Sequence, residues 1–213
     1  MRGLSTPDGL ERVPRRTVID HWLALEADKR DDNLDADRID ELSTREAHEA
    51  LLARKPGAAA IFHADPAPRW YRLQLREAEL RRLRYIDGPA DSLWGGLADD
   101  RRVLDGARRI QQEPPATLAA ETGVDVEHIL ADRERVAAGE SVPAPVLLTR
   151  RGRAQTRILD GNHRVTAVLL HLLETGEYDP MTAYLGSQPN PIVRPLRERL
   201  AGLVRSVVED RRF

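Results

Sequence analysis

Cysteine is missing from the 213-residue chain. That excludes disulfide scaffolding, zinc–thiolate centres and thiol catalysis. No apolar run approaches the roughly 20 residues that cross a bilayer. The segment from Met1 to Asp8 lacks the apolar core of a signal peptide, so a cytoplasmic protein is the expectation. Charge of one sign is also missing. The 33 basic and 35 acidic side chains leave a formal net charge of −2, unlike a dedicated nucleic-acid coat. Lysine occurs only at Lys29 and Lys55. All other basic residues are arginine, a bias that a GC-rich coding sequence produces alongside abundant Ala, Gly and Pro. No His/carboxylate set has metal-ligand spacing, so a dedicated protein-held metal is not expected.

What is present divides into a helical N-terminal region, 1–63, and a mixed α/β region, 64–213. Residues 1–16, rich in Arg, Gly and Pro, read as a mobile arm. Val18, Ile19, Trp22, Leu23 and Leu25 mark a short amphipathic helix, and a charged loop follows from Asp28 to Asp37. Ser43 and Glu46 form a capping box for a helix to about Arg54. Pro56-Gly57 ends it, and Ala58 to Phe62 reads as a short buried strand. Trp70 to Leu75 alternates as a strand, and Glu77 to Leu83 forms a helical turn. A loop with Gly88 and Pro89 precedes a helix from Asp99 to Gln112. One or two helices occupy Leu118 to Ala138, Met181 to Leu185 closes the sheet, and Pro191 to Arg212 gives a final amphipathic helix.

The most informative stretch lies between these landmarks. Pro145 to Leu148 and Gln155 to Leu159 read as antiparallel strands joined by the basic turn Arg150-Arg151-Gly152-Arg153. Asp160-Gly161-Asn162-His163-Arg164 follows, and an apolar helix opens at Val165. At such a strand-to-helix junction, free backbone N–H groups and the positive end of the helix dipole suit an anion. Gly161 permits close backbone approach. Asn162, His163 and Arg164 add donors, and the Arg164 fork matches a phosphate. A common Asp-Gly turn with a solvated first helical turn is the plainer alternative. It leaves a His-Arg pair unexplained where the dipole disfavours cations.

The run Leu159-Asp160-Gly161-Asn162-His163-Arg164, followed by Ala167, resembles the phosphate box of the ParB/sulfiredoxin superfamily. It is most similar to the Asp-Gly-His-His-Arg box of ADP-dependent free-serine kinases. ParB partition proteins carry Gly-Glu-Arg-Arg there, and sulfiredoxin carries Gly-Cys-His-Arg. Asn162 stands where sulfiredoxin needs its cysteine, so that chemistry is excluded. The resemblance covers about Pro143 to Leu173, with an echo upstream to about Trp70. The order of elements along the chain itself reads as α+β, a small mixed sheet with packed helices preceded by the helical N-terminal region, and the resemblance agrees. The resemblance also implies a nucleotide, ATP or ADP, held at Asp160, Gly161, Asn162, His163 and Arg164, with Asp160 a candidate for nucleotide-bound Mg²⁺.

Two functions follow from the resemblance. One is phosphotransfer from the nucleotide to a small hydroxyl-containing acceptor, with His163 and Arg164 neutralising the transferred group. The kinase-like relatives keep an acidic general base between the first strand and its helix. Asp87, Asp91, Asp99 and Asp100 lie in that interval, and Asp87 and Asp91, in the Gly/Pro-rich loop, are the candidates. The alternative is a ParB-like, nucleotide-dependent DNA-binding or regulatory protein without transferase activity. Thr117 to Ile129 has helix-turn-helix spacing around Gly123. Its second helix would present Asp125, Glu127 and Asp132, which repel DNA phosphates. DNA binding is therefore not favoured, and plain helix packing is the expected role of this pair.

Overall fold

A computed structural model of the chain describes residues 10–29, 34, 36–86, 93–150 and 155–188. In chain order, β1 (Glu11–Val13) is followed by α1 (Arg15–Asp28), α2 (Ala36–Glu41), α3 (Thr44–Arg54) and α4 (Ala59–Phe62). Strand β2 (Arg69–Gln74) leads to α5 (Glu77–Leu80), α6 (Leu93–Leu97), α7 (Val103–Gln112), α8 (Pro115–Thr122) and α9 (Val126–Ala137). The hairpin of β3 (Val146–Arg150) and β4 (Thr156–Asp160) runs into α10 (Asn162–Thr175), and β5 (Thr182–Gln188) follows. The class is α+β, as the pattern predicts.

The strands form one mixed sheet in the order β1-β2-β5-β3-β4. All neighbours are antiparallel except β3 and β5, which are parallel. Period-two alternation sends successive side chains to opposite faces. Val146 and Leu159 face one core, with Trp70; Leu147 and Ile158 face the other, with Ala183. The first core is closed by α1, α3 and α4 through Val18, Trp22, Leu23, Leu51 and Phe62. The second is closed by the later helices through Leu80, Val103, Ile129, Val165 and Leu169. The N-terminal region thus forms one layer of a three-layer molecule. Its removal would expose Trp70, Val146 and Leu159; burying such a side chain contributes roughly 1.5–3 kcal/mol.

Local signals explain most element ends. Ser43 Oγ accepts the Glu46 amide and the Glu46 carboxylate accepts the Ser43 amide, which is the expected capping box. Asp125 caps α9 by accepting the His128 N–H at 3.0 Å. Gly123, at φ 75°, ends α8 in the left-handed region. Helix α10 is apolar on most sides because it packs against α7 and α9 and shares a core with Leu147, Ile158 and Ala183 of the sheet. Val165 to Leu170 and Leu172 are all buried.

Three expectations need correction. Residues 11–13 belong to an edge strand paired with β2, not to an arm. Ala58 to Phe62 is helical: a 3-10 turn at Pro56–Ala58 continues into α4, and Phe62 packs on Trp22 and Trp70. Helix α7 begins at Val103, because Asp99 and Asp100 form a turn in which Asp100 accepts the Arg102 N–H. The helix expected over residues 191–212 lies outside the described residues.

Candidate anion-binding site

Strand β4 ends at Asp160, and α10 starts two residues later. Gly161 makes the corner at φ 95° and ψ 25°. A Cβ there would lie 3.0 Å from Arg164 Nη2 and 3.1 Å from Pro145 Cβ, so both conformation and space demand glycine. The first intrahelical bond of α10 runs from the Val165 N–H to Gly161 O at 2.9 Å. The amides of Asn162, His163 and Arg164 precede it and have no intrahelical acceptor. Asn162 Oδ1 is buried with no hydrogen-bond partner.

Asp160 anchors a charged network rather than facing solvent. Its side chain is 4 % exposed. Arg164 Nη2 donates to Oδ2 at 2.6 Å, and Lys55 and Lys29 donate to Oδ1 at 3.3 and 3.4 Å. The same two ammonium groups reach Glu26 Oε1 of α1, at 2.8 Å from Lys29 and 3.3 Å from Lys55. Arg164 Nη1 also donates to Pro143 O at 3.2 Å. Burial alone would raise the Asp160 carboxyl, but the Lys29, Arg164 and Lys55 charges outweigh it and hold it below the ordinary range. Burial would likewise lower Lys55, and Asp160 and Glu26 raise it instead. His21 closes one side, bonded to Ala144 O at 2.8 Å and packed on Tyr184.

His163 differs from its expected role. Its ring meets Trp94 edge-on at 4.8 Å and His128 edge-on at 5.0 Å. Burial, then the neighbouring His128, pushes its pKa down to about 4. Without a bound anion the ring is neutral near pH 7 and offers a neutral ring nitrogen. The positive charge at the box comes from Arg164 and the two lysines.

Asp87 and Asp91 lie outside the described residues. Both flanks of their loop are nevertheless fixed beside the first turns of α10. Tyr85 stacks on Trp94 at 4.8 Å, and Trp94 touches His163. The Tyr85 hydroxyl lies 3.0 Å from Thr166 Oγ1, which donates to Asn162 O at 2.7 Å. Thr166 has one hydroxyl proton, so Tyr85 is the donor in their pair. Burial raises Tyr85 well above its ordinary value and keeps it protonated. Asp99 and Asp100 are exposed on the turn before α7.

The residues fit a metal poorly. Among the described residues no group of three or more His, Cys, Asp or Glu gathers to hold an ion. Both Asp160 oxygens already accept from cations, so a divalent ion would have to displace an ammonium or a guanidinium. The Mg²⁺ role expected of Asp160 is therefore at odds with its surroundings. The α8–α9 pair packs as a helical hairpin, with Val126 and Ile129 buried and His128 turned toward the box.

Glu26, Lys29, Lys55, Trp94 and His128 escape a reading by motif because they are remote from the box in sequence. Only the scarcity of lysine hints at two of them. Comparison with protein-family models, with curated proteins and with solved structures found no match. No helix among the described residues is long and apolar enough to cross a membrane.

Proposed function

We propose that this chain binds the phosphate groups of a nucleotide, ATP or ADP, at the N-terminus of α10 and transfers a phosphoryl group to a small hydroxyl-bearing acceptor. One observation carries the reading. A left-handed glycine opens a helix whose first amides have no intrahelical acceptor, beside Arg164, and Lys29 and Lys55 add further positive charge there. Asp160 and Glu26 balance two of these three cations, and the charge left over beside the positive end of α10 suits a bound anion.

Each residue then has a role. The amides of Asn162, His163 and Arg164 donate to phosphate oxygens, and Gly161 clears space for them. Arg164 and the lysines stabilise charge on the transferred group, the main task in phosphoryl transfer. Asp160 positions those cations. Mg²⁺, where used, would be brought by the nucleotide and held by its phosphates. A carboxylate of the loop between Tyr85 and Trp94, Asp87 or Asp91, takes the proton of the acceptor hydroxyl. The flanks of that loop touch α10, which supports this choice over Asp99 and Asp100. A ParB-like regulatory protein, binding nucleotide without transfer, is the second reading. It is favoured by the touch between His163 in the box and His128 on α9, which gives ligand binding a route to the α8–α9 hairpin.

Calorimetry with ATP, ADP, CTP and GTP, with and without Mg²⁺, tests the binding. Wild type should bind at least one, and Arg164→Ala should weaken it by about tenfold or more, the loss of a charge-assisted bond. Equal affinities for the two proteins would reject the site. Release of phosphorylated product from a panel of hydroxyl compounds then separates transfer from switching.

A further inference from the structure

We infer that Lys29 and Lys55 are phosphate-contacting residues, delivered by the N-terminal helical layer, so that a diphosphate or triphosphate group is gripped between that layer and the α10 junction. The inference rests on the phosphate reading above and adds two residues that the box resemblance does not supply.

Composition gives the first support. Of 33 basic residues only two are lysine. Those two follow the ends of α1 and α3, yet both ammonium groups converge on Asp160 and Glu26. A background that favours arginine everywhere else leaves lysine only where the site needs that side chain. An ammonium is compact and carries three tetrahedral donors; a guanidinium is a flat fork. The ammonium can bridge the two carboxylates from one point and turn its third N–H elsewhere, whereas a guanidinium does so only across the plane of its fork, as Arg109 does between Glu113, Glu121 and Gly96 O.

Donor counting gives the second. Each lysine spends two donors on Glu26 and Asp160 and keeps one. The carboxylate side chains are 8 % and 4 % exposed, whereas Lys55 is 35 % and Lys29 51 % exposed. The acids are the buried base of the network, and the ammonium groups are its outer layer.

Charge gives the third. A network that only pinned the N-terminal layer to the sheet would balance two carboxylates with two cations. Lys29, Lys55 and Arg164 set three cations on Glu26 and Asp160. Lys29 and Lys55 sit favourably at the C-caps of α1 and α3, but Arg164 lies in the first turn of α10, where a cation in excess is costly unless an anion is bound.

Amine labelling of the unmodified chain tests this without a variant that must fold. Lys29 and Lys55 are the only lysines, so acylation followed by mass spectrometry reads each separately, with the α-amino group as control. Pyrophosphate, and ADP in parallel, at about ten times the Kd should slow labelling of both lysines about tenfold and leave the control unchanged. Lys29→Gln should weaken pyrophosphate binding about tenfold, while Lys29→Arg should not restore it. If pyrophosphate or ADP binds in an Arg164-dependent way, but labelling and Lys29→Gln affinity are unchanged, this inference falls and the phosphate reading stands. If neither pyrophosphate, ADP nor ATP binds wild type, both fall.

Discussion

Asp160→Asn keeps the shape of a buried side chain and removes its charge. In the native chain this carboxylate accepts from Lys29, Lys55 and Arg164 while 4 % exposed. Breaking one partner of a buried ion pair typically costs about 3–5 kcal/mol. Here the lysine side chains are 51 % and 35 % exposed, so water recovers part of the loss. A cost of about 2–3 kcal/mol follows after that discount for screening. The pH dependence has a definite sign. The folded carboxyl lies below its ordinary value, since the three cations outweigh burial. Its contribution is therefore complete above the unfolded pKa of about 4 and is lost as pH falls through the folded pKa. Urea unfolding followed by circular dichroism at pH 7, 5 and 3 should show a gap between wild type and variant that is full at pH 7 and 5. The gap should shrink at pH 3. Equal midpoints at pH 7, or a gap that does not narrow in acid, would refute the reasoning.

Other consequences are open to direct measurement. Gly161→Ala should destabilise by about 2–3 kcal/mol, from left-handed strain plus a Cβ set against Arg164 and Pro145; an unchanged urea midpoint would contradict this. Tyr85→Phe removes the buried donor to Thr166 and should cost about 1–2 kcal/mol in thermal unfolding; no loss would show that the bond is idle. The His163 ring should titrate near pH 4 by NMR, as its burial beside His128 requires; a midpoint near the ordinary 6.5 would restore it as a cationic phosphate ligand. In a phosphotransfer assay, Asp87→Asn or Asp91→Asn should lower turnover while nucleotide affinity holds; if neither changes turnover, the base is elsewhere.

The strands were legible where local pattern and tertiary pairing agree. Alternation marked β2, and the hairpin β3–β4 followed from two apolar runs around a basic turn. The capping box at Ser43 and Glu46 is a short-range device and was readable for that reason. Residues 11–13 carry no such signal, because an edge strand of three residues exists only through its pairing with β2. Pro56-Gly57 resembles a terminator, yet it starts the turn that leads into α4, whose Phe62 is captured by two tryptophans. The corner at Gly161 was legible because glycine, strand and apolar helix meet there within a few residues. The charge at that corner was not. Lys29 and Lys55 reach Asp160 across 131 and 105 residues, a convergence that only the three-layer packing creates. The surroundings of His163 are hidden from the sequence for a related reason: Trp94 and His128, which pack on its ring, come from distant helices.

The central claim is that an anion sits on the first turn of α10. Backbone amide NMR during a titration with ADP tests it most directly, since an N–H that gains a phosphate acceptor moves strongly downfield. The largest shifts are predicted at Asn162, His163 and Arg164, saturating with the calorimetric affinity and absent in Arg164→Ala. Saturable shifts confined to other segments, or no shifts at these three amides, would contradict the account.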